Sequence, residues 1–207
     1  MGEKIKYTIK ELKQPDIFRQ FISDLVDTAA ENFNKILYAV GGIVVLLIVI
    51  YLVSSHQEKK AQVAGALFEK ALVQYNSGNI EPALEGFAAL IKEHPSQQSA
   101  KLAMYYTGIL NYDLGQYDKT IASLNEYLND SPENQLLEDS ANFTIGLSYY
   151  NLQNWQESEK YLSKLQNSNS PYEKQANVNL GLVYEKMGQF DKAEDIYKNF
   201  LNNATSQ

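Results

Sequence analysis

The side chains best equipped for catalysis or metal binding are few in this chain and far apart. Its two histidines are His56 and His94, its one arginine is Arg19, and it has no cysteine. Disulfides, thiol catalysis and Cys-ligated metal are therefore excluded, as is a lipid attached through cysteine. A general-base pair or a metal site needs its groups gathered together, and these lie in different segments. The expectation is a protein that is no enzyme and needs neither cofactor nor metal. A formal net charge of −7 argues against nucleic acid as a partner. What the chain does hold is aromatic, with 15 tyrosines and 8 phenylalanines among 207 residues. A tyrosine joins a large apolar ring to a polar hydroxyl, which suits recognition of another chain.

Such rings need a scaffold, and the sequence repeats itself. Gly78-Asn79-Ile80, Gly115-Gln116-Tyr117, Gln153-Asn154-Trp155 and Gly188-Gln189-Phe190 fall at one equivalent place in four windows of 34 residues, 64–97, 101–134, 139–172 and 174–207. Position 8 of each window is small: Ala71, Gly108, Gly146, Gly181. Position 20 is small as well: Ala83, Thr120, Ser158, Ala193. Position 24 is large: Phe87, Leu124, Leu162, Tyr197. Pro95 and Pro132 close the first two windows, and Pro171 stands one place late in the third. This pattern resembles the tetratricopeptide repeat (TPR) family over residues 64–207, one helix–turn–helix per unit. It departs from the family at position 27, where Leu90, Tyr127, Leu165 and Phe200 replace a small residue. The expected fold is all-α: a right-handed α-solenoid of about four helical hairpins.

That likeness assigns a binding face. Positions 5, 9 and 12 of the first helix in each TPR unit line the inner surface of the curve. Here they are Phe68, Leu72 and Tyr75; Tyr105, Ile109 and Tyr112; Phe143, Leu147 and Tyr150; then Val178, Leu182 and Glu185. Three units show aromatic, aliphatic, tyrosine. A groove so lined favours apolar or aromatic segments of a protein or peptide, with hydroxyls as polar handles. The same residues could instead pack on neighbouring helices. A clamp for a peptide's terminal carboxylate is not expected, since position 13 carries Asn76, Asp113, Asn151 and Lys186, only one of them basic. Asn142-Phe143-Thr144 and Asn203-Ala204-Thr205 match the glycosylation pattern, the first within an expected helix.

Upstream of the repeats, Ile36 to Val53 is 18 residues without a charge. As a helix it spans about 27 Å, close to a bilayer's hydrocarbon core. We expect an uncleaved transmembrane anchor over 36–53, with Tyr38 and Tyr51 near its ends. Flanking charge does not decide its orientation: Arg19 and Lys35 precede it, and Lys59, Lys60 and Lys70 follow. Residues 54–63 hold no Gly or Pro, so a helical join into the first repeat is expected. Residues 1–35 form a separate N-terminal region. There Phe18, Phe21, Ile22, Leu25, Val26, Ala29 and Phe33 make one apolar stripe on an amphipathic helix.

A short N-terminal region, one anchor, a helix running through Ser55-His56-Gln57, and an acidic repeat array beginning near "GALFEKALVQYNSGN" follow in a specific order. The order is similar to that of the YfgM-type ancillary subunits of the bacterial SecYEG translocon. The resemblance implies a single-pass inner-membrane protein with a cytoplasmic N-terminus and a periplasmic TPR domain. It implies partnership with the translocon and with a PpiD-type membrane-anchored periplasmic chaperone. The repeats would bind that chaperone, an emerging unfolded or secreted polypeptide, or both. Two other readings stay open: a cytosol-facing TPR receptor on an organelle membrane, and an assembly or division factor of the bacterial envelope. The last helix poses a separate question. Tyr197, Phe200 and Leu201 form an apolar edge. The edge is either capped by its own polar residues or open to a partner or a second copy, as in a homo-oligomer.

Overall fold

The computed structural model describes residues 17–129 and 134–205, with side chains over 19–129 and 134–199. Pro132 lies outside the described residues, as do the side chains of Phe18, Phe200 and Leu201 and all of residues 1–16. Among the described residues the chain is all helix: α1 (Ile17–Glu31), α2 (Phe33–Asn76), α3 (Ile80–Glu93), α4 (Gln98–Asp113), α5 (Tyr117–Asn129), α6 (Gln135–Asn151), α7 (Trp155–Leu162), a 3-10 turn (Ser163–Leu165), α8 (Glu173–Lys186) and α9 (Phe190–Thr205). The chain divides into two compact units, Met1–Gln57 and Glu58–Gln207.

In the first unit, α1 carries Phe21, Ile22, Leu25 and Val26 on its surface. The helix breaks only at Asn32 before α2 begins. The apolar window of α2 is long enough to cross a membrane, and none of it is buried in the structure.

The second unit is a TPR-like solenoid. The far end of α2 pairs with α3, α4 with α5, α6 with α7 and α8 with α9. Each pair is closed by the same turn. Gly78 N–H donates to Tyr75 O (3.0 Å) while Asn79 N–H donates to Gln74 O (3.0 Å). Gly115 and Gln116 repeat this on Tyr112 and Asn111, and Gly188 and Gln189 on Glu185 and Tyr184. The bond pair satisfies carbonyls that the helix end leaves free, and it requires a left-handed residue at the bend. Gly78, Gly115 and Gly188 meet that need at φ 70–75°, and Gln153 takes the same place at φ 59°.

The small positions have a steric cause. A Cβ on Gly108 would sit 2.5 Å from Leu124, and one on Gly146 2.7 Å from Leu162. One on Gly181 would meet the Tyr197 ring. In the first hairpin the close approach comes from the other side, where Gly86 faces Ala71. Ala83, Thr120 and Ser158 at position 20 are fully sealed, and Ser158 Oγ donates to Gly146 O at 2.8 Å. Three clusters make up the core, each built from adjacent helices. The first joins Phe68, Phe87, Leu90 and Ala103. The second joins Tyr105, Leu124, Tyr127 and Ile145. The third joins Leu162, Leu165, Leu180 and Val183. Leu90, Tyr127 and Leu165, the large residues at position 27, are all buried.

Candidate functional site

The candidate groove residues lie on the first helix of each hairpin, as their spacing of four and three requires. Their exposure differs by position. At position 5, Phe68 and Tyr105 are only 8 % exposed. Phe68 packs against the rings of Phe87 and Tyr106, each with centroids 5.7 Å away. Tyr105 shares a 2.8 Å hydrogen bond with Ser140, which ties α4 to α6. Burial pushes the Tyr105 hydroxyl above the usual phenol range, and the Ser140 bond pulls against that shift. Phe143 is half-buried and meets the ring of Tyr172 at 5.4 Å. Val178 is the exposed member, and with Lys174, Gln175 and Asn179 it lines a shallow hollow of about 230 Å³ on α8.

Positions 9 and 12 are more open. Leu72, Ile109, Leu147 and Leu182 are half-buried, as are Tyr75, Tyr112 and Tyr150. Each of these tyrosines is braced by a second ring. Tyr75 meets Tyr106 edge-on at 5.3 Å, Tyr112 meets Tyr117 at 5.7 Å, and Tyr150 meets Trp155 edge-on at 5.2 Å. Burial raises the Tyr75 hydroxyl pKa, and the nearby charge of Asp113 adds to this. Burial also raises that of Tyr112, with Tyr117 adding and a hydrogen bond to Asn151 opposing. The fourth unit breaks the series. Glu185 stands in the tyrosine's place and accepts a hydrogen bond from Tyr197 Oη at 3.2 Å. Phe190, the equivalent of Tyr117 and Trp155, has lost its ring partner position and is 68 % exposed.

The helix face is thus closed at position 5 in the first two units and half-open along positions 9 and 12. Two residues that contribute to it do not belong to the 5–9–12 series. Tyr106 touches Phe68, Tyr75, Phe87 and Tyr105, and so joins the first core to the second. The adjacent pair Tyr105-Tyr106 was its only signal in sequence. Tyr172 lies just after Pro171, before α8, and closes over Phe143. Nothing in its local sequence marks that contact.

Further hydroxyls link units at long range. Tyr161 Oη donates to Asn125 Oδ1 at 2.8 Å, and Tyr184 Oη donates to Glu159 Oε1 at 3.0 Å. Burial first, and then the bond to Glu159 and its charge, push the Tyr184 pKa up to about 12. Among the described residues no group of three or more His, Asp or Glu side chains is placed to hold a metal ion. His56 is exposed on α2, and His94 is the C-cap residue of α3. Asn142 is buried, gives its amide to Glu138 O and accepts from Lys164, so its glycosylation pattern lies within a packed helix. Tyr197 at the end face is half-buried on α9.

The sequence profile of the tetratricopeptide repeat-like domain family matches residues 30–207. No curated protein sequence matches the chain. Solved structures share the fold. MamA from Desulfovibrio magneticus RS-1 (residues 41 to its end) aligns with a TM-score of 0.59 at 18% identity, covering 70% of this chain and 77% of that one. MamA of strain AMB-1 aligns with a TM-score of 0.60 at 15% identity, over 70% of this chain and 74% of that one. A Rap protein complexed with competence and sporulation factor aligns with a TM-score of 0.52 at 19% identity, over 70% of this chain and 43% of that one.

Proposed function

The chain belongs to the tetratricopeptide repeat-like domain family, and from that premise we propose that it is a non-enzymatic scaffold held in the bacterial inner membrane beside the Sec translocon. A protein-interaction scaffold is what the fold supports directly. An array of helical hairpins offers extended surface for another chain. The observation that carries the finer reading is α2. One helix, Phe33–Asn76, contains both a wholly exposed apolar window and the first helix of the array. Exposed aliphatic side chains over that length match the hydrocarbon core of a bilayer. The N-terminal region would then be cytoplasmic and the array periplasmic. The braced tyrosines at Tyr75, Tyr112 and Tyr150 would meet the chaperone or a secreted chain. In this role the protein assists export or hand-over without chemistry of its own.

The test has two arms. In sealed inner-membrane vesicles of native orientation, the array is expected to resist added protease until the membrane is opened. Cleavage in intact vesicles would place it in the cytosol and sink the reading. A photo-cross-linker at Tyr112 in growing cells is expected to capture SecYEG, a PpiD-type chaperone or a secreted polypeptide. Capture of none of these would leave the fold untouched and remove the translocon from the account.

A further inference from the structure

The second helices of the repeat hairpins hide one apolar side against their neighbours. Phe87 and Leu90 on α3 are buried, as are Leu124 and Tyr127 on α5. Helix α1 is patterned in the same way and hides nothing. Phe21, Ile22, Leu25 and Val26 are 43–60 % exposed, Ala29 is exposed, and Phe33 continues their line into α2. The charges around this stripe are ordered. At about 100° per residue, Asp24, Asp27 and Glu31 fall within an arc of about 60° opposite the middle of the stripe. Arg19 and Lys35 flank the stripe, one beyond each edge. A bilayer surface is layered in that order, with hydrocarbon beneath, phosphates at the rim and water above.

Position supplies the second argument. Glu31 stands five residues before Ile36, the first residue of the uncharged run, which is about 7.5 Å along a helix. The headgroup region on each side of a bilayer is about 5–8 Å deep. With α2 across the membrane, the end of α1 is therefore at headgroup level. The link between them is built to bend. Thr28 O accepts two bonds from one residue, from Asn32 N–H at 3.2 Å and from Asn32 Nδ2 at 2.9 Å. A side-chain amide that enters the backbone ladder marks a site of helix bending.

We propose that α1 lies flat on the bilayer that α2 enters, with Asn32 as the bend and lipid as the cover of its stripe. The proposal rests on the reading of α2 as a membrane anchor. Residues 19–35 hold two cations against three acids, so burial of the apolar stripe, and not attraction to anionic lipid, drives the seating. Seating is thus expected on neutral lipid. The two cations reach the phosphates at the rim, and the three acids face water.

The chain has no cysteine, so a single introduced cysteine carries a spin label at one known place. The full chain is reconstituted in phosphatidylcholine vesicles with a label at Ile22→Cys, Asp24→Cys, Leu25→Cys, Asp27→Cys or Leu46→Cys. Electron paramagnetic resonance then compares access of oxygen, which concentrates in hydrocarbon, with access of a water-soluble nickel chelate. Labels at 22 and 25 should favour oxygen, and labels at 24 and 27 the chelate. The label at 46 should report the bilayer interior. Leu25→Asp should abolish the oxygen preference at 22 and leave that at 46 unchanged. Equal chelate access at all four α1 positions, with 46 still in hydrocarbon, would overturn the proposal and spare the anchor. Chelate access at 46 would overturn the anchor and the proposal together. Spin–spin broadening at 22 and 25 that vanishes on dilution with unlabelled chain would assign the stripe to a second copy, which also overturns the proposal.

Discussion

Gln153 occupies a backbone conformation that its three counterparts leave to glycine. A side chain in the left-handed region costs about 1–2 kcal/mol, while glycine gives back part of that gain through a more flexible unfolded chain. Gln153→Gly is therefore expected to raise stability by about 0.5–1 kcal/mol, read as a higher urea midpoint with an unchanged slope. Gly146→Ala should act in the opposite sense, since its Cβ would lie 2.7 Å from Leu162. Overpacking of that kind costs about 1–3 kcal/mol. Gly65, with nothing within 4 Å, is the control, and its change to alanine should stabilise α2 slightly. Tyr184 tests electrostatics at the same scale. Its pKa of about 12 lies above the ordinary phenol value of about 10. The folded state thus holds this proton more tightly than the unfolded one. The stabilisation is complete below pH about 10 and is lost as pH rises towards 12. Glu159→Gln removes the charge but keeps the burial. The Tyr184 midpoint should fall while staying above that of free tyrosine, which NMR titration of labelled tyrosine rings would follow.

The third hairpin departs most from its neighbours. Its second helix, α7, stops at Leu162, passes through a 3-10 turn, and enters a loop where Asn167 and Asn169 both have φ of 55°. The carboxylate of Glu173 holds that loop, accepting from the backbone N–H of Asn167 and of Asn169, each at 3.2 Å. Hydrogen bonds to a charged acceptor contribute about 1.5–3 kcal/mol, less where water competes. Glu173→Ala is expected to speed amide exchange at residues 167–170 and at Tyr172, with little change in the first hairpin. A uniform loss of protection would refute a local role for this carboxylate. The contrast with the other hairpins shows what sequence carries and what it does not. The small residues at positions 8 and 20 are legible because a close helix crossing limits size at a fixed spacing. The turn at Gln153 is legible by alignment alone. The loop held by Glu173 is not, since its stability rests on one carboxylate reaching back four and six residues with no recurring motif. The same holds for the candidate face. Its 5–9–12 series could be read directly. The sealing of Phe68 and Tyr105 could not, because it depends on Tyr106 and Ser140 arriving from other helices.

Across the whole molecule, each core cluster is made by helices adjacent in sequence. Stability in such an array is close to a sum of unit terms and nearest-neighbour terms. Phe87→Ala, at a fully buried site, should cost about 3–5 kcal/mol in the first hairpin. Amides of α8 and α9 should keep most of their protection, whereas a single cooperative domain would lose it throughout. Exchange mapped by mass spectrometry distinguishes the two outcomes. The neighbour-only packing also bears on how the chain is made. Among the described residues of the solenoid, helix contacts reach no further than the next hairpin. Each hairpin can close on the one before as soon as it emerges, so synthesis and folding advance together from the α2 end. A nascent chain halted halfway would already hold its first hairpin closed, while α8 and α9 had yet to appear.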